Sequence, residues 1–219
     1  MSGSRILQSI LLALIAMTAG IAGAAQPCTP FEDGRVEERM LQVMRAAAAE
    51  GRLYRVSPGN SKVGFCVRHF PLHEFCGEFT NLVGGLALPP DRDQQGQALL
   101  LIHTSSMQAS DSELMPLVMG QHFMDTENYP DILYVGRAFQ WLTPQQAYIY
   151  GDMTMHGRTQ PVVFNVTVDV LEAGEGERPD RIHLKGKSKV NRLNFDMRSH
   201  RVVVSERVRL YLSVELVPW

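Results

Sequence analysis

From Leu53 to Val217, apolar and polar residues alternate with period two over a series of short runs. Val63, Phe65 and Val67 alternate with Gly64, Cys66 and Arg68; Phe75, Gly77 and Phe79 alternate with Cys76, Glu78 and Thr80. The same pattern sets Ile149, Gly151, Met153 and Met155 against Tyr150, Asp152 and Thr154. It recurs at Val162, Phe164, Val166 and Val168, and at Val208, Leu210, Leu212 and Val214. Successive side chains of a strand point to opposite faces, so each run predicts a half-buried antiparallel strand with one apolar face. Pro89-Pro90-Asp91, Thr143-Pro144, His156-Gly157 and Gly174-Glu175-Gly176 punctuate the series as turns. Many short strands so separated predict a mainly β domain, either a sandwich or a barrel.

Two segments depart from this period. Thr29-Pro30-Phe31-Glu32 carries a helix-start signal, with Thr29 as cap, Pro30 in the first turn and Glu32 completing a capping box. Val36, Met40, Val43, Met44 and Ala47 follow at helical spacing, and Gly51 stands where a helix C-terminus favours glycine. One helix is expected from about Pro30 to Glu50, covering a mouth or wall of the β domain. The region Ser110 to Asp125, with Leu114, Met115, Leu117, Val118 and Met119 around Pro116, predicts a short helical segment crossing an opening.

The first 25 residues read as a signal peptide. Arg5 precedes an apolar run from Ile6 to Met17, and Ala22-Gly23-Ala24 is a small-x-small cleavage site, cut after Ala24 or Ala25. The run is shorter than the ~20 residues a membrane span needs. Cys28, in Ala25-Gln26-Pro27-Cys28, lacks the context of a lipoprotein acylation site. The expectation is a protein exported to the periplasm with no transmembrane anchor after cleavage. The chain divides into a signal peptide (1–25), an extension with a helix (26–51) and one β domain (52–219). Composition agrees with a globular chain, at 45% hydrophobic and 20% charged residues. A net charge of −2, with neither sign clustered along the sequence, excludes the basic stripe that nucleic-acid binding requires.

Of the three cysteines, Cys66 and Cys76 share the outward parity of two strands joined by a turn near Pro71. A hairpin centred there places them opposite one another, so a disulfide is expected, with Cys28 left free or bonded between chains. Cys66, His69, His73 and Cys76 also have the ligand types and spacing of a metal site. The inward parity of His69 and an oxidising compartment weigh against that alternative. Catalysis finds little support: His103, His122, His156, His183 and His200 are scattered, and no serine sits in a Gly-x-Ser-x-Gly elbow. The chain is therefore expected not to be an enzyme. An enzyme acting on a bound lipid, or a redox or metal protein using the hairpin, stand as the alternatives.

Several ordered blocks resemble the YceI-like family. They are Tyr54-Arg55-Val56 with Ser61 to Phe65 and Val67-Arg68-His69, then Gly77-Glu78-Phe79 with Gly85, then Phe123-Met124-Asp125 with Tyr129-Pro130-Asp131-Ile132 and Tyr134. Gly151 to Val162, as GDMTMHGRTQPV, is similar to the family's Gly-x-Leu-Thr-x-x-Gly-x-Thr-x-Pro-Val signature, and Val190 to Phe195 resembles its last block. The resemblance implies an eight-stranded antiparallel, lipocalin-like barrel with an elongated tunnel. It also implies a long apolar lipid as partner, such as a polyprenyl chain, an isoprenoid quinone or a fatty chain, and no other cofactor. Candidate tunnel-lining residues are Phe65, Val67, Phe79, Ile149, Gly151, Met153, Met155, Phe164 and Phe195, with Leu114, Leu117 and Phe123 from the crossing segment. Gly151 would leave volume for a chain to pass, and the eleven methionines suit a deformable wall. Two departures stand out: Ser57 and Asn60 occupy a stretch where relatives often carry Asp and His, and Leu114 to Val118 is apolar where many relatives are polar. The sequence leaves open whether the barrel works alone or as a homodimer.

Overall fold

The computed structural model describes residues 38–69, 73–88, 96–171 and 179–219. Among the described residues, eleven strands form one antiparallel sheet. In chain order they are β1 (Leu53–Val56), β2 (Lys62–His69), β3 (His73–Phe79), β4 (Leu82–Ala87), β5 (Gln97–His103) and β6 (Met107–Ala109). Then follow β7 (Asp131–Thr143), β8 (Gln146–Met155), β9 (Arg158–Leu171), β10 (Arg181–Asn191) and β11 (Val204–Pro218). The order β1-β4-β5-β7-β8-β9-β10-β11 closes on itself, because β11 also pairs with β1 through Tyr54↔Pro218 and Val56↔Leu216. This is the expected eight-stranded barrel. Closure leaves no free edge around that ring, which is how all-β domains avoid edge-to-edge association.

β2, β3 and β6 continue β1, β4 and β5 past three breaks, so three of the eight barrel staves are bent. The polar residues at the breaks hold them. Asn60 Nδ2 donates to Glu215 Oε1 (3.0 Å), Ser57 N donates to Glu215 O (2.8 Å), and Glu215 N donates to Ser61 Oγ (3.0 Å). The amides of Thr80 and Asn81 both donate to Ser106 Oγ, tying the second break to the third. Ser57 and Asn60 thus serve the bend. The Asn60 hydrogen bond, with Arg181 nearby, also holds the Glu215 carboxyl below its ordinary range.

The alternation seen in sequence decides what faces inward. Along β9, Val162, Phe164, Val166 and Val168 are buried, while Val163 and Val170 are exposed. The predicted β8–β9 turn forms at His156 (φ 51°) and Gly157 (φ 67°), two left-handed residues as a tight hairpin of this kind requires. Helix α1 spans Glu38–Ala49 and packs Met44 and Ala47 against β1, β4 and β5. Gly51 (φ 69°) ends it, and Arg52 N donates to Ala47 O. The start expected at Pro30, the signal peptide and Cys28 lie outside the described residues. No helix among the described residues is long and apolar enough to cross a membrane.

A cavity at one end of the barrel

β7 begins at Asp131, opposite His103 of β5, so among the described residues β6 has no strand on its far edge. Residues 110–130 occupy this part of the chain and contain the short helix α2 (Met115–Met119). The segment is tied down at both ends. Ser110 N donates to Cys76 O, and both Thr104 N and Thr104 Oγ1 donate to Pro130 O (2.8 and 2.7 Å). Asp125 takes a left-handed φ of 48° and accepts from Asn128 Nδ2, turning the chain back toward β7.

Under this segment lies a cavity of about 310 Å³. Its walls are the inward residues of β2, β3 and β11, including Phe65, Val67, Phe75, Val208 and Leu210. Ile132, Met153 and Met155 come from β7 and β8, and Leu114, Leu117, Val118, Phe123 and Met124 form the lid. Three polar side chains reach it, His69, Arg192 and His200. The volume lies at the lower end of the ~300–1,000 Å³ typical of small-ligand sites.

Arg192 is the unusual member, only 2% exposed. Its Nε donates to Ser205 O and its Nη2 to Val204 O (both 3.0 Å), while Nη1 donates to Met197 O. The guanidinium carbon lies 5.7 Å from the centre of the Phe123 ring. No carboxylate among the described residues comes within ion-pair reach of it, and burial holds its pKa below the ordinary arginine value. The charge is satisfied by carbonyl dipoles and an aromatic face. It clamps the turn 197–205 to the short helical turn Arg192–Phe195, and this turn supplies His200, Val203 and Val204 to the cavity wall.

The candidate lining residues divide in two. Phe65, Val67, Phe79, Met153 and Met155 line the cavity, as do Leu114, Leu117 and Phe123 of the lid. Ile149, Gly151, Phe164 and Phe195 do not. Ile149 and Phe164 are buried in packed core beyond the cavity floor, and Phe195 is buried beneath the short helical turn that it ends. The space at Gly151 is filled: a Cβ there would lie 2.3 Å from Val135 O and 2.8 Å from the Tyr134 ring. Tyr134 Oη donates to Ile149 O (3.0 Å), and the Tyr134 ring meets Phe164 edge-to-face at 5.2 Å. Gly64 behaves similarly on the outer face, where the Tyr211 ring lies across it. The glycines make room for tyrosines rather than for a passing chain. In place of the expected elongated tunnel there is a pocket with a closed floor. Tyr54, Leu86, Phe139, Ile149, Phe164 and Leu216 fill the half nearest α1.

The expected disulfide is present. Cys66 and Cys76 pair directly across β2 and β3, with Cα atoms 4.2 Å apart and the sulfurs bonded. Bonding uses both thiolates, so the alternative metal set Cys66, His69, His73 and Cys76 has lost half its ligands. His69 instead turns inward to the cavity and stacks on His73 at 5.7 Å. His156 is held by position rather than chemistry, with Nδ1 3.0 Å from Phe195 O and its ring against Tyr129. Arg158 pairs with Asp196 on the surface.

Comparison with known proteins agrees with this architecture. A YceI-like domain model matches residues 54–216. A "UPF0312 protein" of Pseudomonas putida is 24% identical over 179 residues, covering 80% of this chain and 90% of the relative. Among solved structures, BcnA of Burkholderia cenocepacia superposes with a TM-score of 0.62 at 21% identity, over 73% of this chain and 98% of that one. A polyisoprenoid binding domain from Saccharophagus degradans, implicated in plant cell wall breakdown, gives 0.59 at 14% identity, over 76% and 98%. At these identities the likeness is one of fold.

Proposed function

The chain belongs to the YceI-like family, and from that premise and the form of its cavity we propose a periplasmic carrier of a lipid's apolar chain. The cargo is an isoprenoid, as a polyprenyl or quinone tail, or a fatty chain, and the protein acts by binding rather than catalysis. One observation carries this reading: the cavity is walled almost wholly by aliphatic, aromatic and methionine side chains, in a barrel end whose floor is sealed. Water in such a space lacks hydrogen-bond partners, so an apolar chain displaces it favourably. The polyisoprenoid binding title of the structural neighbour supports the ligand class. The signal-like first 25 residues and the Cys66–Cys76 disulfide support an oxidising, extracytoplasmic location. The chain enters tail first, because the floor offers no polar partner, whereas exposed His200 marks the mouth. A modest volume at a closed floor receives a chain end, and the remainder of a long lipid extends past the lid.

Native mass spectrometry of protein purified without detergent, followed by organic extraction, tests this. A co-purifying lipid, or saturable binding of a polyprenyl or quinone probe that Met153→Asp abolishes, is the expected result. A protein that arrives empty and binds neither probe would refute it.

A further inference from the structure

The cavity rim carries a second feature that holding a lipid does not require. Leu117 and Val203 line the cavity and are yet 40% and 44% exposed, so they stand on its lip. Val202, at the tip of the same turn, is 96% exposed. A valine presented so fully to water, next to other apolar rim residues, stabilises nothing within the described fold.

The charges behind this lip are not random. Strand alternation dictates that residues adjoining the inward Val67, Val190 and Val208 point out of the barrel. Those residues are Arg68, Lys189 and Arg207, all exposed, and together they line one shallow depression with Asn191, Ser205 and Glu206. None of the three cations has a carboxylate at ion-pair distance among the described residues. Neighbouring arginines do have acidic partners: Arg201 pairs with Glu206, Arg198 and Arg158 share Asp196, and Arg209 pairs with Glu74. A chain of net charge −2 thus concentrates unmatched positive charge beside its cavity mouth. The opposite lip carries Asp111 and Glu113 ahead of α2, which leaves the turn 198–203 as the side favoured to approach a negative surface.

We propose that this lip is a docking surface for an anionic phospholipid bilayer. Val202 and Val203 enter the headgroup boundary while Arg68, Lys189 and Arg207 meet lipid phosphates. Exposed apolar side chains flanked by cations are the chemistry that a charged bilayer interface recognises. The arrangement opens the cavity toward the membrane, so a chain moves between bilayer and barrel without crossing bulk water. It also places the inserting turn next to Val204 in the cavity wall, so docking and loading involve the same segment.

Flotation of the mature protein with vesicles tests the inference. It should bind vesicles of phosphatidylcholine and phosphatidylglycerol in equal parts, bind phosphatidylcholine alone far more weakly, and lose affinity as salt is raised. Neutralising one cation should weaken partition about fivefold, and Arg68→Gln, Lys189→Gln and Arg207→Gln together about a hundredfold. Val202→Asp, at a site too exposed to affect folding, should reduce binding further. Equal binding to both vesicles, or binding indifferent to these variants, would overturn the proposal. So would self-association that Val202→Asp abolishes in the absence of vesicle binding, since the lip would then be an interface between copies. Extracting lipid from the same variants keeps the two readings separate. An empty cavity with intact vesicle binding would count against the carrier function alone, and a loaded cavity with no vesicle binding against docking alone.

Discussion

Replacing Phe164 by alanine tests whether the barrel beneath the cavity is packed or open. Phe164 is 2% exposed and meets the Tyr134 ring edge-to-face at 5.2 Å and 81°, a geometry worth roughly 0.5–1.5 kcal/mol beyond area burial. Tyr134 cannot follow into the space left, because its hydroxyl is anchored on Ile149 O and its ring is seated over Gly151. The void therefore persists, and the variant loses both transfer energy and packing contacts, about 3–5 kcal/mol. Were Phe164 the wall of an open tunnel, the loss would fall below ~1.5 kcal/mol, since a partly wet ring has less transfer energy to lose and no new cavity forms. Urea unfolding followed by tryptophan fluorescence separates the two, provided the denaturant slope is unchanged. A loss under ~1.5 kcal/mol would refute the sealed floor. A second readout is independent of stability: the deeper cavity should move the preferred chain length in a homologous fatty-chain series upward.

The disulfide closes a loop of sequence separation 10, so Cys66→Ser with Cys76→Ser should cost about 2.5–3 kcal/mol in urea unfolding and leave the β2–β3 register intact by NMR. Arg192→Met should destabilise by ~3 kcal/mol or more, because the Met197, Val204 and Ser205 carbonyls lose their shared donor. Hydrogen exchange should then quicken selectively in residues 197–205, and Arg192→Lys should not restore protection, since one ammonium cannot span three carbonyls. Burial, and then the hydrogen bond to Glu78, push the Tyr211 hydroxyl from 10.0 up to about 12, and burial raises Tyr134 as well. A raised pKa stabilises the fold below the unfolded value and withdraws that stability as pH climbs through the folded one. Thermal melts should therefore decline between about pH 10 and 12, with a shallower decline in Tyr211→Phe.

The strand series and the Cys66–Cys76 pairing follow from period-two alternation, because they depend only on which face a residue takes. The His156-Gly157 turn follows from its residues, and closure into a barrel is implied by the family resemblance alone. The turn 197–205 was missed. Val202-Val203-Val204 breaks the alternation, and nothing local tells that Arg192 reaches across to clamp it. The Arg68, Lys189 and Arg207 cluster was missed for a related reason. The three residues are scattered through the sequence and meet only because β2 and β10 both flank β11.

Ile149, Gly151, Phe164 and Phe195 show where alternation runs out. Parity states that a position faces inward, as Ile149, Gly151 and Phe164 do, and it does not apply to Phe195, which ends a helical turn. It does not state how deep along the barrel axis the side chain lies, nor what stands opposite. Those follow from the stagger of eight paired strands and from the lid, which set Tyr134 over Gly151 and leave the cavity beside Met153. An apolar interior was thus written in the local pattern of the chain. Whether that interior is a tunnel, a filled core or a pocket was settled by register, because filling is a property of residues that meet from different strands.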